Sequence, residues 1–107
     1  MNGRKPNKFK ARRCRCLLGH IHDSGLEARH CLVIHDMLKK REIRAVERQV
    51  KFPLIGGVNH YPDFLITHLD GSREVIESKG QPTQSWTIKM KIFKEIYPDI
   101  KYTVWGR

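Results

Sequence analysis

A chain of 107 residues with 39% apolar side chains can bury one modest core but not several, so residues 14–107 are expected to fold as a single domain. No apolar run approaches the ~20 residues of a membrane span and no signal-peptide apolar stretch is present, which argues against a membrane partner and predicts a cytoplasmic protein. The formal charge is +10, and it is uneven: residues 1–54 carry 14 Lys/Arg against 5 Asp/Glu, residues 55–107 carry 7 against 6. A basic half beside a nearly neutral half with clustered acids suits a protein that grips a polyanion and cuts it, although solubility alone would account for the charge equally well.

Residues 1–13 are polar and basic, without apolar periodicity, and read as a flexible arm whose Arg12 and Arg13 could touch phosphates. Cys14 to His22 alternates weakly and fits a short hairpin turning near Leu18-Gly19. Three cysteines in a cytosolic setting do not suggest a disulfide framework. Cys14, Cys16, His20, His22, His30, Cys31 and His35 are all zinc-ligand types, but Cys-x-Cys is not the usual ligand spacing and suits two inward side chains of a strand at least as well.

Ser24 opens a helix over 24–40, where Glu27, three residues on, completes a capping box and Leu26, Val33, Ile34 and Met37 recur at helical spacing. Residues 41–55 read as a strand, followed by a turn at 56–59. Ser85 or Thr83 then caps a helix over 85–96 that stops before Pro98, with Ile88, Ile92, Phe93 and Ile96 expected to face the core. Residues 101–105 make a last strand, and Trp86 and Trp105 are expected to pack rather than stack on bases.

The stretch 61–79 is the most informative. It predicts a β-hairpin in which Asp63 opens the first strand and Glu77 and Lys79 close the second, two residues apart and so on one face. The turn His68-Leu69-Asp70-Gly71-Ser72 leaves two registers open. A two-residue Asp-Gly turn would set Asp63 opposite Ser78 and point its carboxylate away from Glu77. A three-residue loop with left-handed Gly71 would set Asp63 opposite Glu77. Two carboxylates and a lysine brought together this way are a metal site with a cation beside it. The plainer reading is a surface ion pair of Glu77 with Lys79 or Arg73.

Pro62-Asp63, thirteen residues, then Glu77-Ser78-Lys79 resembles the motif of the PD-(D/E)XK nuclease superfamily. Asp23-Ser24-Gly25-Leu26-Glu27-Ala28, Arg41-Glu42-Ile43, Gln49-Val50-Lys51-Phe52 and Lys79-Gly80 with Thr83, Trp86 and Lys89 come in the order of a small phage-encoded branch of it, long catalogued only as a domain of unknown function. This resemblance implies an α/β fold, a mixed and mainly antiparallel central sheet flanked by two helices as in restriction endonucleases. It implies a Mg²⁺- or Mn²⁺-dependent deoxyribonuclease with Asp63, Glu77, the Ser78 backbone carbonyl and Glu27 around the metal and Lys79 beside the attacking water. It places Gln49, Lys51, Gly80, Thr83 and Lys89 toward the DNA, and it allows a homodimer, since members are often dimers. The expected setting is phage recombination or replication on branched or structured DNA, in the host cytoplasm. The rival readings are a basic nucleic-acid-binding module without catalysis, stabilised by zinc at the Cys14/Cys16/His cluster, and a nuclease fold turned structural, with Asp63 facing away from Glu77.

Overall fold

The computed structural model describes residues 14–15, 21–22 and 24–106. Two short strands, β1 (Cys14–Arg15) and β2 (Ile21–His22), pair antiparallel with Cys14 opposite His22, while the turn expected near Leu18-Gly19 lies outside the described residues. Next comes α1 (Gly25–Lys39), whose Ser24 cap accepts the Glu27 backbone N–H at 3.1 Å, satisfying one of the donors a helix start leaves unpaired.

The main sheet has four strands in the order β3 (Ala45–Arg48), β6 (Phe64–Thr67), β7 (Arg73–Ser78) and β8 (Lys101–Trp105). The pairs β3/β6 and β6/β7 are antiparallel, and β8 returns parallel to β7 after the crossover helix α2 (Gln84–Ile96). This is the expected α/β architecture, a mixed and mostly antiparallel sheet with two helices.

Strand alternation sorts the side chains into two cores. Phe64, Ile66 and Ile76 pack with Ala28, Cys31 and Ile34 of α1 on one face. Leu65 and Val75 pack with Phe93 of α2, Phe52 and Ile100 on the other. Fully burying one such Phe or Ile is worth ~1.5–3 kcal/mol, so these two small clusters account for much of what holds the helices to the sheet.

Three local expectations need correction. Residues 41–55 are not one strand: Arg41 and Gln49 take left-handed φ of 60° and 54°, which breaks the run into β3 and a separate short β4 (Phe52–Pro53). The glycines at 56 and 57, both left-handed, turn β4 into β5 (Asn59–His60) rather than leading straight into the central hairpin. Along α2, Phe93 is the one fully buried apolar residue, while Ile88 and Ile96 are exposed. The helix is drawn down through Trp86 and Phe93, seven residues apart, which rolls the Ile88 and Ile96 stripe outward. No helix among the described residues is long and apolar enough to cross a membrane.

Candidate active site

The β6/β7 register follows from its turn. His68 N–H donates to the Ser72 carbonyl at 2.8 Å, Gly71 N–H donates to the His68 carbonyl at 3.0 Å, and Gly71 has φ of 89°. Asp70 clamps the loop by accepting from Ser72 N–H and its hydroxyl at 2.9 and 2.6 Å. Three residues therefore separate His68 from Ser72, Phe64 pairs with Ile76, and Asp63 comes opposite Glu77. This is the register the functional reading requires. It removes the arrangement in which Asp63 turns away.

Beyond the last ladder pair the two acids bond across the strands. Asp63 N–H donates to Glu77 Oε1 at 2.9 Å, and Ser78 N–H donates to Asp63 Oδ2 at 2.8 Å. Glu77 Oε2 accepts from Trp86 Nε1 at 2.6 Å and from the Tyr102 hydroxyl at 2.8 Å, with His60 Nε2 at 3.2 Å. His60 Nε2 also lies 2.9 Å from that hydroxyl. Glu77 is 2% exposed, so the surface ion-pair reading does not describe it.

The two carboxyls consequently differ in acidity. Burial works against the charge of Glu77, but hydrogen bonds from His60 and Trp86, attraction to His60 and the Asp63 N–H outweigh it and hold the carboxyl at about 2. Asp63 is pushed well above the ordinary carboxylate range, by burial first, then by the charges of Glu77 and Glu27; Ser78 N–H and Lys79 oppose this less strongly. Burial and the Glu77 charge also push the Tyr102 phenol upward, keeping it a donor.

Glu27 meets Ser24 through its backbone and the hairpin acid Asp63 through its charge. Its backbone sits in the Ser24 cap, while its side chain, 4% exposed, brings a third negative charge to bear on Asp63. Lys79 holds its ammonium 5.5 Å from the centre of the Trp86 ring, which itself is anchored on Glu77. On the opposite face, Ser78 Oγ lies 2.6 Å from His30 Nδ1, and His30 Nε2 lies 3.1 Å from the Gly106 carbonyl. A carbonyl only accepts, so Nε2 carries a proton. Neutral His30 then accepts a hydrogen bond from the Ser78 hydroxyl at Nδ1. Burial first of all lowers the His30 pKa, consistent with that neutral form.

The other expected contact residues fall in three places. Gln49 lies at the site, its N–H 3.4 Å from the Asp63 carbonyl, while Lys51 and Gly80 are exposed. Thr83 is the α2 cap, accepting from Trp86 N–H at 3.1 Å, and Lys89 lines a groove on the outer flank of that helix. Arg12 and Arg13 lie outside the described residues, as do Cys16, His20 and the side chains of Cys14 and His22. Of the other zinc candidates, Cys31 is in the core, His35 bonds the Cys31 carbonyl at 3.0 Å and His30 is taken by Ser78 and Gly106. Among the described residues no group of three or more His, Cys, Asp and Glu side chains is arranged to hold a metal.

His60 and Tyr102 were invisible to sequence reasoning, and Trp86 had no assigned role there. Tyr102 reaches Glu77 only because β8 returns parallel to β7, and His60 only through the β4/β5 hairpin; no local pattern marks either. Trp86 had a signal. With Thr83 rather than Ser85 as the cap, residues 86 and 93 form the inward stripe.

A family model described as "Protein of unknown function (DUF1064)" matches residues 6–107. No curated protein and no solved structure matches the chain.

Proposed function

The chain belongs to the DUF1064 family, and from that premise we propose that it is a metal-dependent DNA endonuclease of the PD-(D/E)XK type, with Asp63, Glu77, Glu27 and Lys79 as its working residues. One observation carries this reading. Glu27 of α1 and Glu77 of β7 are buried at the end of one hairpin, Asp63 sits half-buried between them just ahead of β6, and the charges of both other acids fall on Asp63.

A divalent cation suits that donor set. Mg²⁺ and Mn²⁺ prefer hard oxygen ligands and bind through one or two carboxylates while keeping several waters, so a ready-made cage of three side chains is not required. Asp63 accepts one bond on Oδ2, which leaves Oδ1 as the oxygen with no donor among the described residues. Asp63 and Glu27 would hold the ion, with Glu77 Oε1 and the Ser78 carbonyl beside them. When bound, such an ion neutralises charge on phosphoryl oxygens and acidifies water. Lys79, on the same face as Asp63 and Glu77, orients the attacking water and balances charge building on the phosphate. Trp86 fixes both the Lys79 ammonium and Glu77 Oε2. The basic half of the chain supplies affinity for the DNA backbone, and a role in phage recombination or replication would follow from a preference for structured DNA.

The test is incubation with Mg²⁺ or Mn²⁺ and supercoiled, single-stranded and four-way-junction DNA. Metal-dependent cutting should disappear with EDTA and fall on the order of 10³-fold or more in Asp63→Ala, while DNA binding persists. Binding without cutting on every substrate would instead favour the non-catalytic module.

A further inference from the structure

On the face of the sheet opposite Glu77, one histidine joins three separate segments of the chain. His30 is half-buried on α1, one turn after Glu27. Its Nδ1 accepts from the Ser78 hydroxyl at 2.6 Å, and its Nε2 donates to the Gly106 carbonyl at 3.1 Å. The Trp105 ring meets the imidazole edge-on, with 5.2 Å between centroids. Contacts on the ring and on both nitrogens leave this side chain one orientation.

Ser78 is where that orientation matters. Its N–H donates to Asp63 Oδ2 at 2.8 Å, which leaves Oδ1 for a ligand, and its carbonyl is the backbone oxygen placed beside the cation. The β6/β7 ladder ends at Phe64 and Ile76, so the closeness of Ser78 to Asp63 is not fixed by pairing of those two strands. It is held instead from its two other sides. On one, Ser78 pairs with Trp105 of β8, and Lys79 N–H donates to the Trp105 carbonyl at 3.1 Å. On the other stands His30. The helix that carries His30 carries Glu27 three residues earlier, on the same side of α1. The His30–Ser78 bond therefore ties the acid of α1 to the strand end that aims Asp63.

We propose that His30 is a positioning residue of the metal centre. It rests on the nuclease reading and adds to it an outer partner, one that touches neither ion nor DNA. His30 holds Ser78 so that the Ser78 N–H orients Asp63, the Ser78 carbonyl stays in place, and Glu27 is kept in register with both. Partners of this kind set how well a group of ligands is arranged before the ion arrives. A histidine kept for packing alone would be matched by any polar side chain of similar size, and its two nitrogens separate the two roles. His30→Asn can place its amide oxygen where Nδ1 now accepts, and His30→Gln its amide nitrogen where Nε2 now donates.

The test is calorimetric titration of Mn²⁺ into the full chain and its variants, with the metal-free melting temperature of each. His30→Gln should weaken Mn²⁺ binding about tenfold or more, the loss expected when a partner that orients a metal ligand is removed. Ser78→Ala, which removes only the hydroxyl, should lose as much. The double variant His30→Gln/Ser78→Ala should lose no more than either, because both break one bond. His30→Asn should recover most of the affinity. Wild-type affinity in Ser78→Ala, additive losses in the double variant, or equal losses in His30→Asn and His30→Gln would make His30 a packing residue and overturn the proposal, while the nuclease reading stands. A wild type that takes up no Mn²⁺ overturns both. Should the His30 variants fail to fold, Ser78→Ala alone decides.

Discussion

Asp63 and Glu77 face each other across one hairpin, and their surroundings are opposite. Glu77 receives a backbone N–H on one oxygen and an indole, a phenol and an imidazole at the other, and it holds its charge. Asp63 receives one backbone N–H and stands against two other acids, so its charge is opposed rather than supported. The two carboxylates of a motif therefore do different work. The donors that reach each of them decide which anchors the fold and which is left with charge to give to a ligand. Glu77 is the hub that joins β5, β6, α2 and β8; Asp63 is the acid that a cation would relieve.

That contrast breaks most visibly in stability. Both carboxylate oxygens of Glu77 accept, so Glu77→Gln sets an NH2 against a donor on one side or the other and removes the charge, and it should destabilise the protein by about 2–4 kcal/mol, read from urea unfolding. Asp63→Asn keeps an acceptor for Ser78 N–H and removes a buried charge, so in metal-free buffer at neutral pH it should leave stability unchanged or raise it. Equal losses in the two variants would erase the distinction.

The pH dependence should carry the same signature with opposite signs. Glu77, held at about 2 against its usual 4.5, contributes stability that is present above pH 4.5 and lost as the pH falls toward 2. Asp63 is raised, so its contribution is favourable in acid and is lost as the pH climbs above its usual 3.8 through its folded value. The stability of Asp63→Asn minus that of the wild type, measured without metal, should therefore grow as the pH rises from about 4. A flat difference would show that Asp63 does not carry the strain.

Trp86→Phe removes the indole donor from Glu77 and weakens the seat of Lys79, and it should cost about 1–2 kcal/mol together with a loss of cleavage larger than the stability change explains. Gly71→Ala is the mildest case. An added Cβ would meet nothing nearer than Arg44 at 4.0 Å, so the cost is that of forcing φ of 89°, about 1 kcal/mol. Unchanged stability there would mean the loop does not hold the register.

Much of the frame could be read from the residues because the determining signals are local. Ser24 with Glu27 marks the start of α1, and Pro62-Asp63 and Glu77-Ser78-Lys79 mark the ends of the hairpin strands. The loop chemistry of Asp70-Gly71 reduced its register to two choices, one of which the structure adopts. What escaped is long-range. Tyr102 meets Glu77 from 25 residues away, and His30 meets Gly106 from 76, through packing that no short pattern encodes. Periodicity also misled at Ile88 and Ile96, because spacing finds a stripe but does not say whether the core or a groove receives it.

The central claim, that Asp63 is the acid left to bind a cation and Glu77 the acid that anchors it, is tested most directly by calorimetric titration of Mn²⁺ into the wild type, Asp63→Asn and Glu77→Gln, each with its melting temperature. The account predicts that the wild type binds, that Asp63→Asn melts no lower than the wild type yet no longer binds, and that Glu77→Gln melts well below both. Binding that survives in Asp63→Asn, or a wild type that takes up no Mn²⁺, would contradict it.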